Sequence, residues 1–175
     1  VRDLFALSSD YDPTDKATQM FFAETQNKLL FAVASKTEAE LIVSRADAAE
    51  PNMALTNWKG SVVRKQDIVV AKNYLTEDEI DSLNRLTVIF LETAELRAKN
   101  KDNLSMAFWK ENVDRILEFN DRPILTSAGS LTHAQMEEKV KQIYAHFDQN
   151  RKEEAAKAAD LTDLEDLEKE LKNNK

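Results

Sequence analysis

Residues 76–99, TEDEIDSLNRLTVIFLETAELRAK, decide the fold class of this chain. Thr76 and Glu79 have the spacing of a capping box, in which each side chain accepts a hydrogen bond from the other residue's backbone N–H. The apolar residues that follow recur every three or four positions, which is the period of a helix with a buried face. The pattern predicts the longest helix of the chain, ending at about Lys99. Because Leu86–Leu91 is apolar nearly all round, we expect this helix to be central and buried.

Start signals of the same kind recur along the chain. Three are further capping boxes and two are single capping residues, one of which precedes a proline suited to the first helical position. With only 2 glycines and 3 prolines in 175 residues, long helices with few turns are favoured. We therefore predict an all-α fold, a multi-helix orthogonal or bundle-like domain with one long irregular loop and a C-terminal helical extension. Besides Thr76, the predicted helix starts are Asp12, Thr37, Ser105, Thr132 and Thr162.

The C-terminal part of the chain differs in composition from the rest. Residues 1–150 are predicted to form one helical domain, and residues 151–175 an acidic helical extension. Leu164, Leu167 and Leu171 have the spacing of a coiled-coil stripe, although about two heptads are too few for a stable coiled coil. This stripe is expected to dock on its own domain, the more common outcome, or to pair with a second copy of the chain.

The composition excludes several classes of site. There is no cysteine, which excludes disulfides, thiolate zinc sites and cysteine nucleophiles. Gly60 and Gly129 stand too far apart for a glycine-rich phosphate-binding loop. His133 and His146 lack the spacing of metal ligands, so the sequence predicts no metal and no cofactor. No apolar run reaches the roughly 18 residues of a membrane-spanning helix, and the composition as a whole favours a cytoplasmic protein.

The charge of the chain argues against nucleic acid as its partner. Lys and Arg number 24 and Asp and Glu number 32, for a formal net charge of −8. Proteins that bind nucleic acid without specificity are normally basic. The one small basic stretch, formed by Lys59, Arg64, Lys65 and Lys72, is too weak to reverse that balance.

Residues 52–74 show no clear period and are the best candidate for a functional site. A long irregular loop inside a compact domain is more often functional than a short one. The residue types here and at the borders suit an anion or a planar group, because Arg and Lys supply charge, Asn supplies paired hydrogen bonds, and Trp and Tyr supply stacking surfaces. The candidate ligand-binding residues are Arg45, Asp47, Asn52, Trp58, Lys59, Lys72, Asn73 and Tyr74.

A purely structural interpretation accounts for the same residues. Arg45 then pairs with Asp47, Trp58 fills the core, and Asn52 and Asn73 close turns. The sequence does not decide between the two interpretations, and it assigns no catalytic residue.

Two stretches carry a resemblance to a known family. They are Thr37–Trp58, TEAELIVSRADAAEPNMALTNW, and Asp67–Leu86, DIVVAKNYLTEDEIDSLNRL, together with the lead-in Asp3–Leu29. With these stretches the chain resembles the RhuM family of bacterial virulence-associated proteins, up to about Phe147. The resemblance implies a bacterial protein whose longer relatives carry a further N-terminal region, and it implies no agreed catalytic mechanism.

Three functions remain open at this level. We expect a helical interaction or effector module, whose partner is another protein, the N-terminal region of the longer relatives, or a second copy bound through the C-terminal helix, without a role for a membrane. One alternative is an enzyme of an unrecognised type with a pocket around residues 45–74. The other is a DNA-associated regulator that acts through an N-terminal region outside this sequence.

Overall fold

The computed structural model of the chain describes residue 6, residues 8–100 and residues 104–173, and for residues 163–173 it describes the backbone alone. Across these residues the chain contains helices and turns but no strand, which confirms the predicted all-α class. The α-helices are α1 (Lys16–Ala34), α2 (Glu38–Arg45), α3 (Glu77–Lys99), α4 (Met106–Phe119) and α5 (His133–Asn173), with 3₁₀ turns at Pro51–Ala54 and Ala71–Tyr74.

Capping side chains determine where most of these helices begin. Complete capping boxes open α2 at Thr37 and α3 at Thr76, as predicted. Thr132 and Gln135 exchange the same pair of hydrogen bonds before α5, and Ser105 caps α4 through its side chain. These starts are confirmed because a capping box is complete within four residues and needs nothing from the rest of the fold.

α1 begins three residues later than its predicted first residue, Pro13. The Asp12 carboxylate accepts hydrogen bonds from the backbone N–H and the hydroxyl of Thr14, at 2.8 and 2.7 Å, and so closes a separate turn. Asp15 caps the helix instead, by accepting a hydrogen bond from the backbone N–H of Thr18. Two capping residues stand close together here, and the local sequence does not show which of them the helix uses.

α3 is buried on one face only, whereas the sequence predicted a central, buried helix. Leu86, Phe90 and Ala94 are at most 2% exposed, and they recur every four residues. Val88 and Leu91, on other sides of the helix, are 52% and 36% exposed. A helix that is apolar on most sides is buried on all of them only where neighbours surround it, and the principal neighbour of α3 is α1.

The buried apolar side chains form two clusters. The helix core lies among α1, α3 and α4, and the loop core gathers α2, the first half of α5 and the irregular segment between α2 and α3. Val33 and Leu83 pack against both clusters. The helix core consists of Phe22, Leu29, Ala32, Leu86, Phe90, Ala94, Leu104, Trp109, Val113 and Leu117. The loop core consists of Leu30, Ala39, Leu41, Ile42, Met53, Leu55, Val63, Ile68, Ala71, Tyr74, Leu75, Met136 and Val140.

α5, with 41 residues, is longer than α3, and up to residue 162 its described side chains pack against the domain along the first part of the helix only. Met136 and Val140 are 0% exposed in the loop core, and Phe147 is the last residue of the helix that packs there. Residues 149–162 are all exposed, and we call them the projecting segment. The expected docking of the extension concerns the stripe of Leu164, Leu167 and Leu171, whose side chains lie outside the described residues.

No break separates the projecting segment from the rest of α5. The predicted helix start at Thr162 is wrong, because its hydroxyl donates to the carbonyl of Ala158 at 2.9 Å within a continuous helix. The helical backbone continues to the end of α5, while the predicted stripe of Leu164, Leu167 and Leu171 concerns side chains outside the described residues. Among the helices that the structure describes, none is long and apolar enough to cross a membrane.

Candidate functional site

The irregular segment between α2 and α3 is held by side chains that bind its own backbone. The hydroxyl of Tyr74 donates to the carbonyl of Ile68 at 3.0 Å, and the side-chain amide of Asn73 donates to the carbonyl of Asp67 at 2.9 Å. The Asp67 carboxylate accepts a hydrogen bond from the backbone N–H of Arg64 at 2.8 Å. These side chains satisfy backbone groups that a helix or a sheet would otherwise pair.

Thr56 joins the beginning of this segment to its end. Its backbone N–H donates to the carbonyl of Asn73 at 2.7 Å, and its hydroxyl lies 2.7 Å from the carbonyl oxygen of Leu75. Leu55 and Leu75 on either side of these bonds are 6% and 0% exposed. The segment therefore has a defined shape and contributes buried side chains to the loop core, although it has little regular secondary structure.

A left-handed turn lies near the start of the segment. Asn52, Met53 and Ala54 have φ angles of 54°, 59° and 60°, a conformation that costs a residue with a Cβ roughly 1–2 kcal/mol. Met53 is 0% exposed in the loop core, and the backbone N–H of Leu55 donates to the carbonyl of Asn52 at 3.2 Å. Because the Asn52 side chain itself is exposed, the part that this residue plays in the turn is that of its backbone.

Arg45 joins the end of α2 to the start of α3. Its Nη1 and Nη2 each lie 2.6 Å from one carboxylate oxygen of Glu79, and Nη1 also donates to the carbonyl of Tyr74 at 2.6 Å. Hydrogen bonds from the guanidinium hold the pKa of Glu79 below its ordinary value, and Glu79 raises the pKa of Arg45. The expected pairing of Arg45 with Asp47 is wrong, because Asp47 is exposed and accepts a hydrogen bond from the backbone N–H of Ala49.

Tyr74 lies inside the loop core, where a ligand on the surface does not reach its ring. It is 1% exposed, and burial raises the pKa of its hydroxyl above the ordinary value. The hydroxyl therefore remains protonated near neutral pH and keeps its hydrogen bond to the backbone.

Trp58 packs against the loop core and is partly exposed. Its indole Nε1 is buried and has no hydrogen-bond partner in the part of the chain that the structure describes. A buried donor without an acceptor destabilises a folded protein by about 1–3 kcal/mol. The position of the ring agrees with the structural interpretation of Trp58.

The eight candidate residues do not converge on one pocket. Arg45, Asn73 and Tyr74 belong to the network that shapes the irregular segment, and Trp58 packs beneath it. Asp47, Asn52, Lys59 and Lys72 are exposed. Of these, Lys72 lines a groove between α1 and α3.

This groove contains functional candidates that the sequence did not indicate. It encloses about 420 Å³, and it runs along the junction of the two cores. Gln26 comes from α1, Glu38 from the first turn of α2, and Asn84 from α3, so no local motif contains them. The lining residues are Gln26, Leu29, Leu30, Glu38, Val70, Ala71, Lys72, Leu83, Asn84 and Thr87.

The two histidines lie at different places on α5, and neither lines this groove. The exposed His133 places its Nε2 3.2 Å from the carboxylate of Glu137, one turn along the helix. Across the residues that the structure describes, no group of three or more His, Asp or Glu side chains is arranged to hold a metal ion.

Comparison with known proteins identifies a family. A family model described as the virulence protein RhuM family matches residues 1–155. Comparisons with curated proteins and with solved structures found no match.

Proposed function

The chain belongs to the virulence protein RhuM family, and from this premise we propose that it is a helical interaction module. Its partner is a protein that binds the projecting part of α5. The observation that carries the proposal is the run of 14 consecutive exposed residues, 149–162, on a helix whose first half is anchored in the loop core.

The length of this exposed run supports a partner. A helix without tertiary contacts is only marginally stable in water, since most helical stability in proteins comes from packing an amphipathic face. Leu161 in the projecting segment is 62% exposed. A partner that covers this side chain would stabilise the helix and remove apolar surface from water.

The charge of the far end of α5 favours a basic partner surface. Residues 160–170 contain six carboxylates and one lysine. An amphipathic helix that lies in an apolar groove is a common mode of recognition, and charges of opposite sign around the groove set its specificity and its rate of association. The partner predicted by this pattern is therefore an apolar groove lined with Lys and Arg, on another protein or on the N-terminal region of the longer relatives.

The two alternative functions have less support. An enzyme with a pocket at residues 45–74 needs free side chains there, but Arg45 is bound to Glu79 and the ring of Tyr74 is buried. A DNA-associated regulator would act through an N-terminal region outside this sequence, and the net charge of −8 gives this chain itself no positive surface that favours that function.

Photo-crosslinking in bacteria that express the protein tests the proposal. A photoreactive amino acid replaces Leu161 in one variant and Glu138 in the control, because Glu138 is an exposed residue on the anchored half of the same helix. We expect a discrete crosslinked product from position 161 and none from position 138. Mass spectrometry of that product identifies the partner as a second copy or another protein. Equal crosslinking at both positions, or none at either, would contradict the proposal.

A further inference from the structure

The groove between α1 and α3 has an apolar floor. Leu29, Leu30 and Ala71 are 3%, 8% and 2% exposed, and Leu83 packs against both cores beside them. Its volume of about 420 Å³ lies within the range of roughly 300–1,000 Å³ that is typical of sites for small molecules. The groove thus offers apolar contact to a small ligand at the junction of the two cores.

Polar side chains of both charges surround this floor. Lys72 carries a positive charge and Glu38 a negative one, and the amides of Gln26 and Asn84 also line the groove. Within the described residues, neither Lys72 nor Glu38 takes part in an ion pair. Both charges therefore remain available to groups of opposite sign on a ligand.

Glu38 is the first residue of α2 and so stands at the N-terminal end of that helix, an end that attracts negative charge. The contact between Glu38 and Asn27 is made by the backbone N–H of Glu38, which donates to the side-chain oxygen of Asn27 at 2.7 Å, and not by the Glu38 carboxylate. The charge thus stands at the edge of the groove without serving as the cap of its helix, because Thr37 and Glu40 form the capping box.

We propose that this groove binds a small zwitterion with an apolar body, the chemistry of a free amino acid or a short peptide. Lys72 binds the carboxylate of the ligand, Glu38 binds its ammonium group, and the leucine floor receives its apolar side chains. Hydrogen bonds between charged groups are stronger than those between neutral ones, so the two charged groups give the ligand its orientation. The site is independent of the projecting segment, and it goes beyond the proposed interaction function.

Isothermal titration calorimetry on the whole chain tests the site with leucine and with leucyl-leucine. Two blocked ligands, N-acetyl-leucyl-leucine and leucyl-leucine amide, each lack one terminal charge. We expect leucyl-leucine or leucine to bind, and each blocked form to bind at least about tenfold more weakly. The ligand with the higher affinity identifies the source of the zwitterion as a peptide or a free amino acid.

Matched variants assign the two charges to their residues. Lys72→Gln should lose the preference for a free carboxylate, and Glu38→Gln the preference for a free ammonium group. Lys59→Gln and Glu77→Gln are the controls, because both residues are exposed, Lys59 lies in the same irregular segment and Glu77 is likewise the first residue of a helix. The controls should bind all ligands as the unchanged chain does.

Three results would overturn the site. The first is no binding of either free ligand at about 10 mM, well above millimolar dissociation constants. The second is measurable binding of leucyl-leucine to the unchanged chain with the same affinity as its blocked forms, which needs no variant. The third is unchanged selectivity in both Lys72→Gln and Glu38→Gln, provided that their thermal unfolding midpoints show both variants folded.

Discussion

The helix core and the loop core are built in different ways. In the helix core, large side chains such as Trp109 and Phe90 come from helices with a regular period and pack against one another. In the loop core, the buried side chains of the irregular segment reach their places because polar groups such as Arg45, Thr56 and Asn73 bind backbone carbonyls. The helix core should therefore be sensitive to side-chain volume, and the loop core to the loss of single polar groups.

The largest effect is expected from a loss of volume in the helix core. Trp109 is 0% exposed and contacts the rings of Phe90 and Phe108. Trp109→Ala should reduce the free energy of unfolding by about 3–5 kcal/mol, because it removes buried apolar contacts and leaves a cavity. Urea unfolding followed by circular dichroism measures this, with Trp109→Phe as the smaller change. A loss below about 1 kcal/mol would show that this core is not packed as described.

A somewhat smaller effect is expected from breaking the ion pair that closes the loop core. Arg45→Ala should lower the free energy of unfolding by about 2–3 kcal/mol, since it removes charged hydrogen bonds between Arg45 and Glu79, whose side chains are 26% and 16% exposed. Adding Glu79→Ala to it should cost less than Glu79→Ala costs in the unchanged chain, because the ion pair is already lost and only the capping-box bond of Glu79 remains to be removed. The exposed pair of Arg85 and Asp81 on the same helix is the control, and Arg85→Ala should cost less than about 0.5 kcal/mol. Equal losses for both arginines would show that the pair of Arg45 and Glu79 contributes no more than an exposed pair, and would contradict its role in closing the loop core.

Acid should weaken the contact between Glu40 and Ser130. The Glu40 carboxylate accepts hydrogen bonds from the hydroxyl and N–H of Ser130 and from those of Thr37, and these bonds, those from Ser130 above all, lower its pKa from 4.5 to about 2. A lowered folded-state pKa means that the contribution is complete above the unfolded value and is lost as pH falls from about 4.5 towards 2. Across this pH window, the free energy of unfolding should fall less steeply in Glu40→Gln than in the unchanged chain. An unchanged acid slope would refute the assignment to Glu40.

The smallest effect is expected from Trp58, and it separates the two interpretations of that residue. Trp58→Phe keeps an aromatic ring against the loop core and removes the indole N–H that lacks a partner. The free energy of unfolding should therefore stay within about 0.5 kcal/mol or rise slightly. Chemical denaturation of the variant measures the difference. A loss above about 1 kcal/mol would mean that the N–H has an acceptor, such as a bound water or a ligand.

The prediction of the site shows where local patterns stop being informative. The candidate residues were chosen for types that suit ligand binding. Three of them, Arg45, Asn73 and Tyr74, donate hydrogen bonds to backbone carbonyls instead. Arg45 and Asp47 are close in sequence, yet the partner of Arg45 is Glu79, which is 34 positions away. The groove residues Gln26, Glu38, Lys72 and Asn84 likewise meet only because three helices and a 3₁₀ turn converge there.

The amino-acid sequence by itself determined the all-α class, the starts of α2, α3, α4 and α5, and membership of the family, because capping and helical period act over three or four residues and a family match reads the order of residues directly. Only the tertiary structure decided which face of α3 is buried, which residue pairs with Arg45 and where α5 leaves the domain. Each of these depends on which segments lie side by side. A side chain's partner and its exposure are properties of its neighbours in space, and local sequence carries no record of them.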